Sequence, residues 1–306
     1  MLRVRHLAVF RAVVKAGSIS GAARLLYVSQ PAVTKTIHLL EAELGLLLFL
    51  RVNGRLVLTP EAEQLIPEVE RLFGNVVAVK NLADEIRDGF SGSISLATVS
   101  TLSATLVVGA IERFHRDHPR VRFDIRALTT RYVVDSVTTH QVDVGITDAP
   151  TSGGDMEVME LCTSEVGCVI RPSHPLAERQ YLTPKDLETE TLISYSEETL
   201  IGRQLREAFE SAGAHVNKTF TVNHTHTAYG LVQAGVGIAV VDSFPMLSGA
   251  FPNLRILPFR PAMQTRPQVL FSNTRPVPLA ARKFVSVLKE ATEELIIGSK
   301  GMLKSP

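Results

Sequence analysis

The chain has 306 residues, 45% of them hydrophobic and 21% charged, with a formal net charge of +1. That length accommodates two or three domains with sizeable cores. The two cysteines, Cys162 and Cys168, exclude a disulfide scaffold and fit a reducing compartment. The first residues lack the unbroken apolar stretch of a secretory signal, and no uncharged apolar run approaches the roughly 18 residues that span a bilayer, so a cytoplasmic protein with no membrane partner is expected.

In chain order, residues 3–16 read as an amphipathic helix with Leu7, Phe10, Val13 and Val14 on one face. Ser18 is placed to cap a second helix in which Ala22, Ala23 and Leu26 pack. A third helix, about residues 30–43, has Ala32, Val33, Ile37 and Leu40 as its buried stripe and Gly45 as its stop. Leu46, Leu47, Leu48 and Phe49 are expected to fill a small core. Asn53-Gly54 is a hairpin turn signal flanked by Arg51 and Arg55. Three helices and a hairpin make a winged helix-turn-helix.

The third helix carries the chemistry. Ser29 is placed as its N-cap, and Pro31 is tolerated in a first turn whose amides lack intrahelical partners. Ser29, Gln30 and Thr34 put short polar groups at the helix tip, with Lys35 beside them for phosphate, which suits a DNA major groove. Arg51 and Arg55 on the wing are placed for phosphate or the minor groove. Charge agrees: residues 1–60 hold eight Lys/Arg against two acids, +6, which leaves −5 on the rest.

Thr59, Pro60 and Glu61 open a long helix to about residue 88. Its apolar residues, Ala62, Leu65, Val69, Leu72, Val76, Val79, Ala83 and Ile86, alternate steps of three and four, a heptad seam. Leu65, Val69, Leu72, Val76, Val79 and Ile86 are the candidate dimer contacts; packing of the helix on its own domain is the competing reading. Residues 89–93 read as a hinge.

From residue 93 strands alternate with helices, which predicts an α/β domain with a mostly parallel sheet and a ligand beyond the strands' C-terminal ends. Those ends are polar: Ser100 and Thr101, Thr147, Ser196 and Thr199, and Thr225. Hydroxyls beside free helix-terminal amides can hold a carboxylate without a cation; each alone reads more readily as a helix cap, and several converging on one cleft shift the balance towards a site. Two lobes are expected, residues 91–162 plus 267–306 and residues 163–266, joined by two crossings.

Weaker signals point elsewhere and fail on context. The run from Gly235 to Val240 has two glycines of a dinucleotide fingerprint but precedes a strand. His224 and His226 form an H-x-H without further ligands at metal spacing. Cys162 and Cys168 read as small buried hydrophobes rather than a redox pair. No G-x-S-x-G or paired-carboxylate arrangement marks a catalytic core, so neither an enzyme nor a cofactor nor a metal is expected.

The residues Ala22-Ala23, then Ser29-Gln30-Pro31-Ala32-Val33-Thr34-Lys35, Leu40-Glu41, Leu44-Gly45, Leu48-Phe49, Arg51 and Leu58-Thr59 resemble the LysR-type transcriptional regulators. Residues 142–146 and 231–241 match the pattern of the same family's effector half. The resemblance implies a winged helix-turn-helix over 1–58, a linker helix and hinge over 59–90, and a two-subdomain, periplasmic-binding-protein-like effector domain over 91–306. It also implies a homodimer or homotetramer, double-stranded DNA and a small-molecule effector as partners, and RNA polymerase if the protein is an activator. Residues 194–199, 226–228 and 237–242 look most like the opine-catabolism regulators, which suggests an amino-acid-derived carboxylate as effector. The alternative is a solute-binding or enzymatic α/β domain with an appended DNA-binding head.

Overall fold

The computed structural model describes residues 2–52, 55–88, 92–151, 154, 156–215, 218–299 and 301–306. The expected Asn53-Gly54 turn, Gly89, Phe90 and Ser91 of the expected hinge, and the side chain of Ile86 lie outside what is described. The chain forms two compact units, residues 1–79 with 139–141, and residues 80–138 with 142–306.

The first unit opens with α1 (Val4–Ala16), α2 (Ile19–Leu26) and α3 (Gln30–Leu44), followed by the antiparallel hairpin β1 (Phe49–Val52) and β2 (Arg55–Leu58). Local chemistry sets the breaks. Gly17 ends α1 at positive φ, and the Ser18 hydroxyl then accepts the Gly21 amide at 3.1 Å to start α2. Gly45 ends α3 in the left-handed region, where a Cβ would cost energy. Phe10, Val13, Val33, Leu40 and Leu48 are fully buried at the centre, each stabilising the unit by about 1.5–3 kcal/mol.

Three expectations change here. Ala32 is exposed, and the buried stripe of α3 is Val33, Ile37 and Leu40, the residues that face α1 and α2. Of the Leu46–49 run, Leu48 is buried and Phe49 half-buried, while Leu46 and Leu47 face solvent. Ser29 does occupy the N-cap position, but its side chain makes no capping bond; its carbonyl receives the Ala32 and Val33 amides instead.

The long helix α4 (Pro60–Asp88) is capped by Thr59, whose hydroxyl accepts the Ala62 amide at 3.1 Å and donates to the Leu47 carbonyl at 2.8 Å. Its first half belongs to the DNA-binding unit's own core. Ala62 is buried, Val69 is 5% exposed, and Leu65 and Leu72 pack half-buried on the same cluster. Arg11 of α1 clamps this half, its Nε and Nη2 donating to the two Glu70 carboxylate oxygens at 2.7 Å while it lies over the Phe73 ring. Val69 is therefore spent on intrachain packing, contrary to its place in a dimer seam. Val76 and Val79, at 53% and 68% exposed, leave an apolar face open.

The second unit has two lobes. The first is a five-stranded sheet in the order β4-β3-β5-β13-β6, built from β3 (Ser93–Thr98), β4 (Arg122–Ala127), β5 (Val144–Thr147), β6 (Met156–Glu160) and β13 (Gln268–Ser272). It carries α5 (Ser100–Leu102), a π-helical turn over Ser103–Val107, α6 (Val108–Asp117), α7 (Thr130–Thr138) and α12 (Leu279–Gly298). The second lobe is a sheet in the order β11-β7-β10-β8-β9, formed by β7 (Thr163–Ile170), β8 (Leu192–Tyr195), β9 (Lys218–Val222), β10 (Ile238–Asp242) and β11 (Arg255–Pro258). The short strands β12 (Gln264–Thr265) and β14 (Leu303–Lys304) extend it from the start of β7. Its helices are α8 (Pro184–Leu187), α9 (Leu200–Ser211), α10 (Thr225–Gln233) and α11 (Phe244–Leu247).

The sheets are mixed rather than mostly parallel. β3 pairs in parallel with β4 and β5, and β8 with β9 and β10, but β7 and β13 run antiparallel to all their partners. Those two strands follow the crossings between lobes, so each enters its sheet from the opposite end. The lobes are also tied more often than expected. Besides the passages near 160–163 and 265–268, Phe244 of α11 is buried in the first lobe's core, and the C-terminal Leu303 pairs with Ser164 while packing in that same core. The glycines of the 235–240 run are explained by packing: a Cβ on Gly237 would meet the Thr191 carbonyl at 2.1 Å. They shape a helix-to-strand turn, not a dinucleotide site.

Candidate nucleic-acid interface and effector cleft

The tip of α3 presents a concave surface lined by Gln30, Pro31, Thr34, Lys35, His38 and Leu39. All six are exposed. Gln30, Thr34 and His38 repeat every four residues and so form one stripe along the helix. The core residues Val33, Ile37 and Leu40 hold the opposite side against α1 and α2, so folding itself turns this stripe outward. Ser29 stands exposed at the foot of the stripe. On the wing, Arg51 pairs with Leu56 and Arg55 with Val52 across the hairpin, and both arginines face solvent. The structure thus brings Ser29, Gln30, Pro31, Thr34 and Lys35 onto one helix tip and adds His38 and Leu39, which the sequence reading missed. The i, i+4, i+8 spacing from Gln30 was the available signal.

The cleft between the lobes is organised differently. Its centre is Asp242 at the end of β10, only 2% exposed. Thr101, from the first lobe, donates to Oδ1 of Asp242 at 2.8 Å. Tyr195 and Thr225, from the second lobe, each donate to Oδ2 at 2.7 Å, and their two hydroxyls also touch. Tyr229 donates to the Asp242 carbonyl at 3.1 Å. Burial and the Asp242 charge push the phenols of Tyr195 and Tyr229 upward, which keeps both as donors.

Asp148 lies beside this cluster, after β5. Removal from water, and then the charge of Asp242, push its carboxyl up to about 6; the Thr130 hydroxyl contact, at 3.3 Å, opposes the shift. Two carboxylates in one poorly solvated place favour a cation or a proton.

The six hydroxyls singled out from sequence divide accordingly. Thr101 and Thr225 sit in the cleft as ligands of Asp242. Ser100 is half-buried at the start of α5. Thr147 is buried and donates to the Ala149 carbonyl at 3.3 Å. Thr199 is exposed and caps α9, accepting the Gly202 amide at 3.1 Å and donating to the Ser196 carbonyl at 2.8 Å. Ser196 accepts the Glu198 amide at 3.3 Å. Thr199 and Ser196 are thus engaged in a helix start, where their hydroxyls serve the backbone. Asp148 and Asp242 set carboxylates beside Thr101 and Thr225, where the sequence reading named hydroxyls alone. Sequence reading missed Asp242 because one Asp after four apolar residues looks like an ordinary strand end.

Other candidates resolve into structure. His224 precedes α10 and His226 stacks near Phe251 at 5.9 Å, so the H-x-H spans a helix start rather than one strand face. Cys162 is buried in the first lobe's core and Cys168 in the second's. Burial pushes the Cys162 thiol up to about 12 and Cys168 higher still, away from the reactive thiolate.

Comparison with known proteins places this geometry. Residues 4–63 match the bacterial regulatory helix-turn-helix protein, lysR family, and residues 87–293 match the LysR substrate binding domain. The transcriptional activator protein LysR of Escherichia coli is 29% identical over 307 residues, covering 99% of this chain and 98% of that protein. The octopine catabolism/uptake operon regulatory protein OccR of Rhizobium meliloti is 27% identical over 242 residues, 79% of this chain and 80% of that protein. The crystal structure of full-length CbnR with its target DNA superposes with a TM-score of 0.70 at 19% identity, covering 95% of this chain and 100% of that one. The chain therefore belongs to the LysR family, as a DNA-binding transcriptional regulator with an effector-binding domain.

Proposed function

We propose that the effector is a small amino-acid derivative bound between the lobes, with its cationic nitrogen against Asp242 and Asp148 and its carboxylate towards Ser100. The observation that carries this reading is the Asp242 carboxylate, reached by Thr101 from one lobe and by Tyr195 and Thr225 from the other. An arriving ammonium or guanidinium would bring Asp242 a full positive charge, which the neutral hydroxyl donors do not supply. It would also compensate the Asp148 charge, whose ionisation burial opposes. Because Thr101 spans the cleft, exchanging its bond changes how the lobes are joined. The name of OccR, with its octopine operon, agrees with an amino-acid-derived ligand.

In this reading the protein works in the cytoplasm as a homodimer or homotetramer, joined along the open face of α4 around Val76 and Val79, and meets RNA polymerase if it activates. Calorimetry on the full-length protein tests the effector class. Opines and basic amino acids should bind, and matched des-amino acids should bind at least tenfold more weakly. Equal affinity for both series would remove the role of the acids.

A further inference from the structure

We propose that His38 reads a base, and that its protonation state decides which one. His38 follows Gln30 and Thr34 on the outward stripe of α3, and its side chain is 73% exposed. From Gln30 to His38 is eight residues, about 12 Å of helix, enough to pass along roughly three base-pair steps of 3.4 Å.

One side of the ring is engaged. Its Nδ1 stands 3.3 Å from Oε2 of Glu41, one turn further along α3. Glu41 is itself fixed. Its other oxygen accepts the backbone amides of Leu48 at 2.9 Å and Phe49 at 3.4 Å, pinning the start of the wing to the helix. Glu41 is only 10% exposed as a side chain. A carboxylate can only accept, so the hydrogen between the two groups sits on Nδ1. That leaves Nε2 pointing away from Glu41 as the DNA-facing atom.

Neutral His38 then offers an acceptor at Nε2, which suits the exocyclic amine of adenine or cytosine. Protonated His38 offers a donor there, which suits N7 and O6 of guanine. Imidazole is the side chain whose charge ordinarily changes between pH 5 and 8. The charged groups along its own helix are Glu41, one turn on, and Lys35, one turn back; among the described residues the packed loop presents the Leu48 and Phe49 amides, both directed at Glu41. Gln30 and Thr34 have no such switch, so the change is confined to one position of each half-site.

The test selects from a randomised duplex pool with the full-length protein at pH 6 and pH 8, at constant salt, alongside His38→Gln and His38→Ala. The wild type is expected to keep its other preferred bases while one position moves from adenine or cytosine at pH 8 towards guanine at pH 6. His38→Gln should show no such movement, and His38→Ala should lose preference there, with affinity for the wild-type site falling about five- to a hundredfold. Melting curves of each variant separate this loss from unfolding. An unchanged wild-type site at both pH values, or His38→Ala selecting the wild-type site with uniformly weaker binding, overturns the proposal. The second result would make His38 a phosphate contact.

Discussion

The tip of α3 and the Asp242 cluster use polar side chains in opposite ways. At the tip of α3, Gln30, Thr34, Lys35 and His38 project from a helix that is held entirely from behind. In the cleft, Thr101, Tyr195 and Thr225 are buried and already bonded to Asp242. An exposed polar group meets its partner at the small cost of shedding water. A buried one must first give up a bond, and an unmade buried bond costs about 1–3 kcal/mol. The helix tip is therefore suited to recognition, and the cleft to a ligand-dependent change of state.

Perturbing each region should expose that contrast. The largest effect is expected from Asp242→Ala, which strands three buried hydroxyls and should cost about 3–5 kcal/mol in urea unfolding of the effector domain. A loss under 1 kcal/mol would mean the cluster is loosely solvated. Gln30→Ala should cost about 1–3 kcal/mol on the specific DNA site and relax base preference, with little change in melting temperature. If stability fell in step with affinity, the separation of binding from packing on α3 would fail.

Asp148→Asn should stabilise the protein above the native transition of Asp148. The sign follows from the raised carboxyl, about 6 in the fold. The protonated form favours folding, so its contribution is complete below about pH 4 and is lost as pH rises through 6. The variant should thus gain about 1–3 kcal/mol at pH 7.5 and nothing at pH 4. A cationic effector should bind wild type more tightly as pH rises through 6, and Asp148→Asn should flatten that profile. Lys35→Ala should weaken binding to all DNA sequences alike and reduce the salt slope by about one. The smallest effect is expected from Thr199→Ala: loss of a cap worth about 1 kcal/mol in stability, with effector affinity unchanged by calorimetry.

The DNA-binding half was the more legible. Its signals are local: Ser18 and Thr59 as caps, Gly45 as a stop, and the 33–37–40 stripe each depend on neighbours within a turn. The misread positions there are those decided by tertiary contact. Val69 and Leu72 fit a heptad seam, but α1 takes up the first half of that seam in the same chain. In the effector domain the alternation of strands and helices was legible. The antiparallel course of β7 and β13 depends on which end of a sheet the chain enters, and no local pattern carries that. The cleft was read as hydroxyls because Ser and Thr recur at the strand ends. Its charged centre joins residues 101, 148, 195, 225 and 242, contacts made across 17 to 141 positions of chain that no local spacing rule reaches.

The π-helical turn at Ser103–Val107 has a bearing on what the chain can lose. Such a turn holds one residue more than a regular helix of the same pitch. Deleting any single residue within it would let the helix close into ordinary α form, without breaking the core contacts of α6. Thr101 lies immediately before the bulge, and its carbonyl receives the Thr105 hydroxyl at 2.7 Å from within it. Because the extra residue is absorbed within the turn, the helix on either side would keep its facing, and Thr101 would still be presented to Asp242. These five positions can lose one residue where the regular helix of α6 could not.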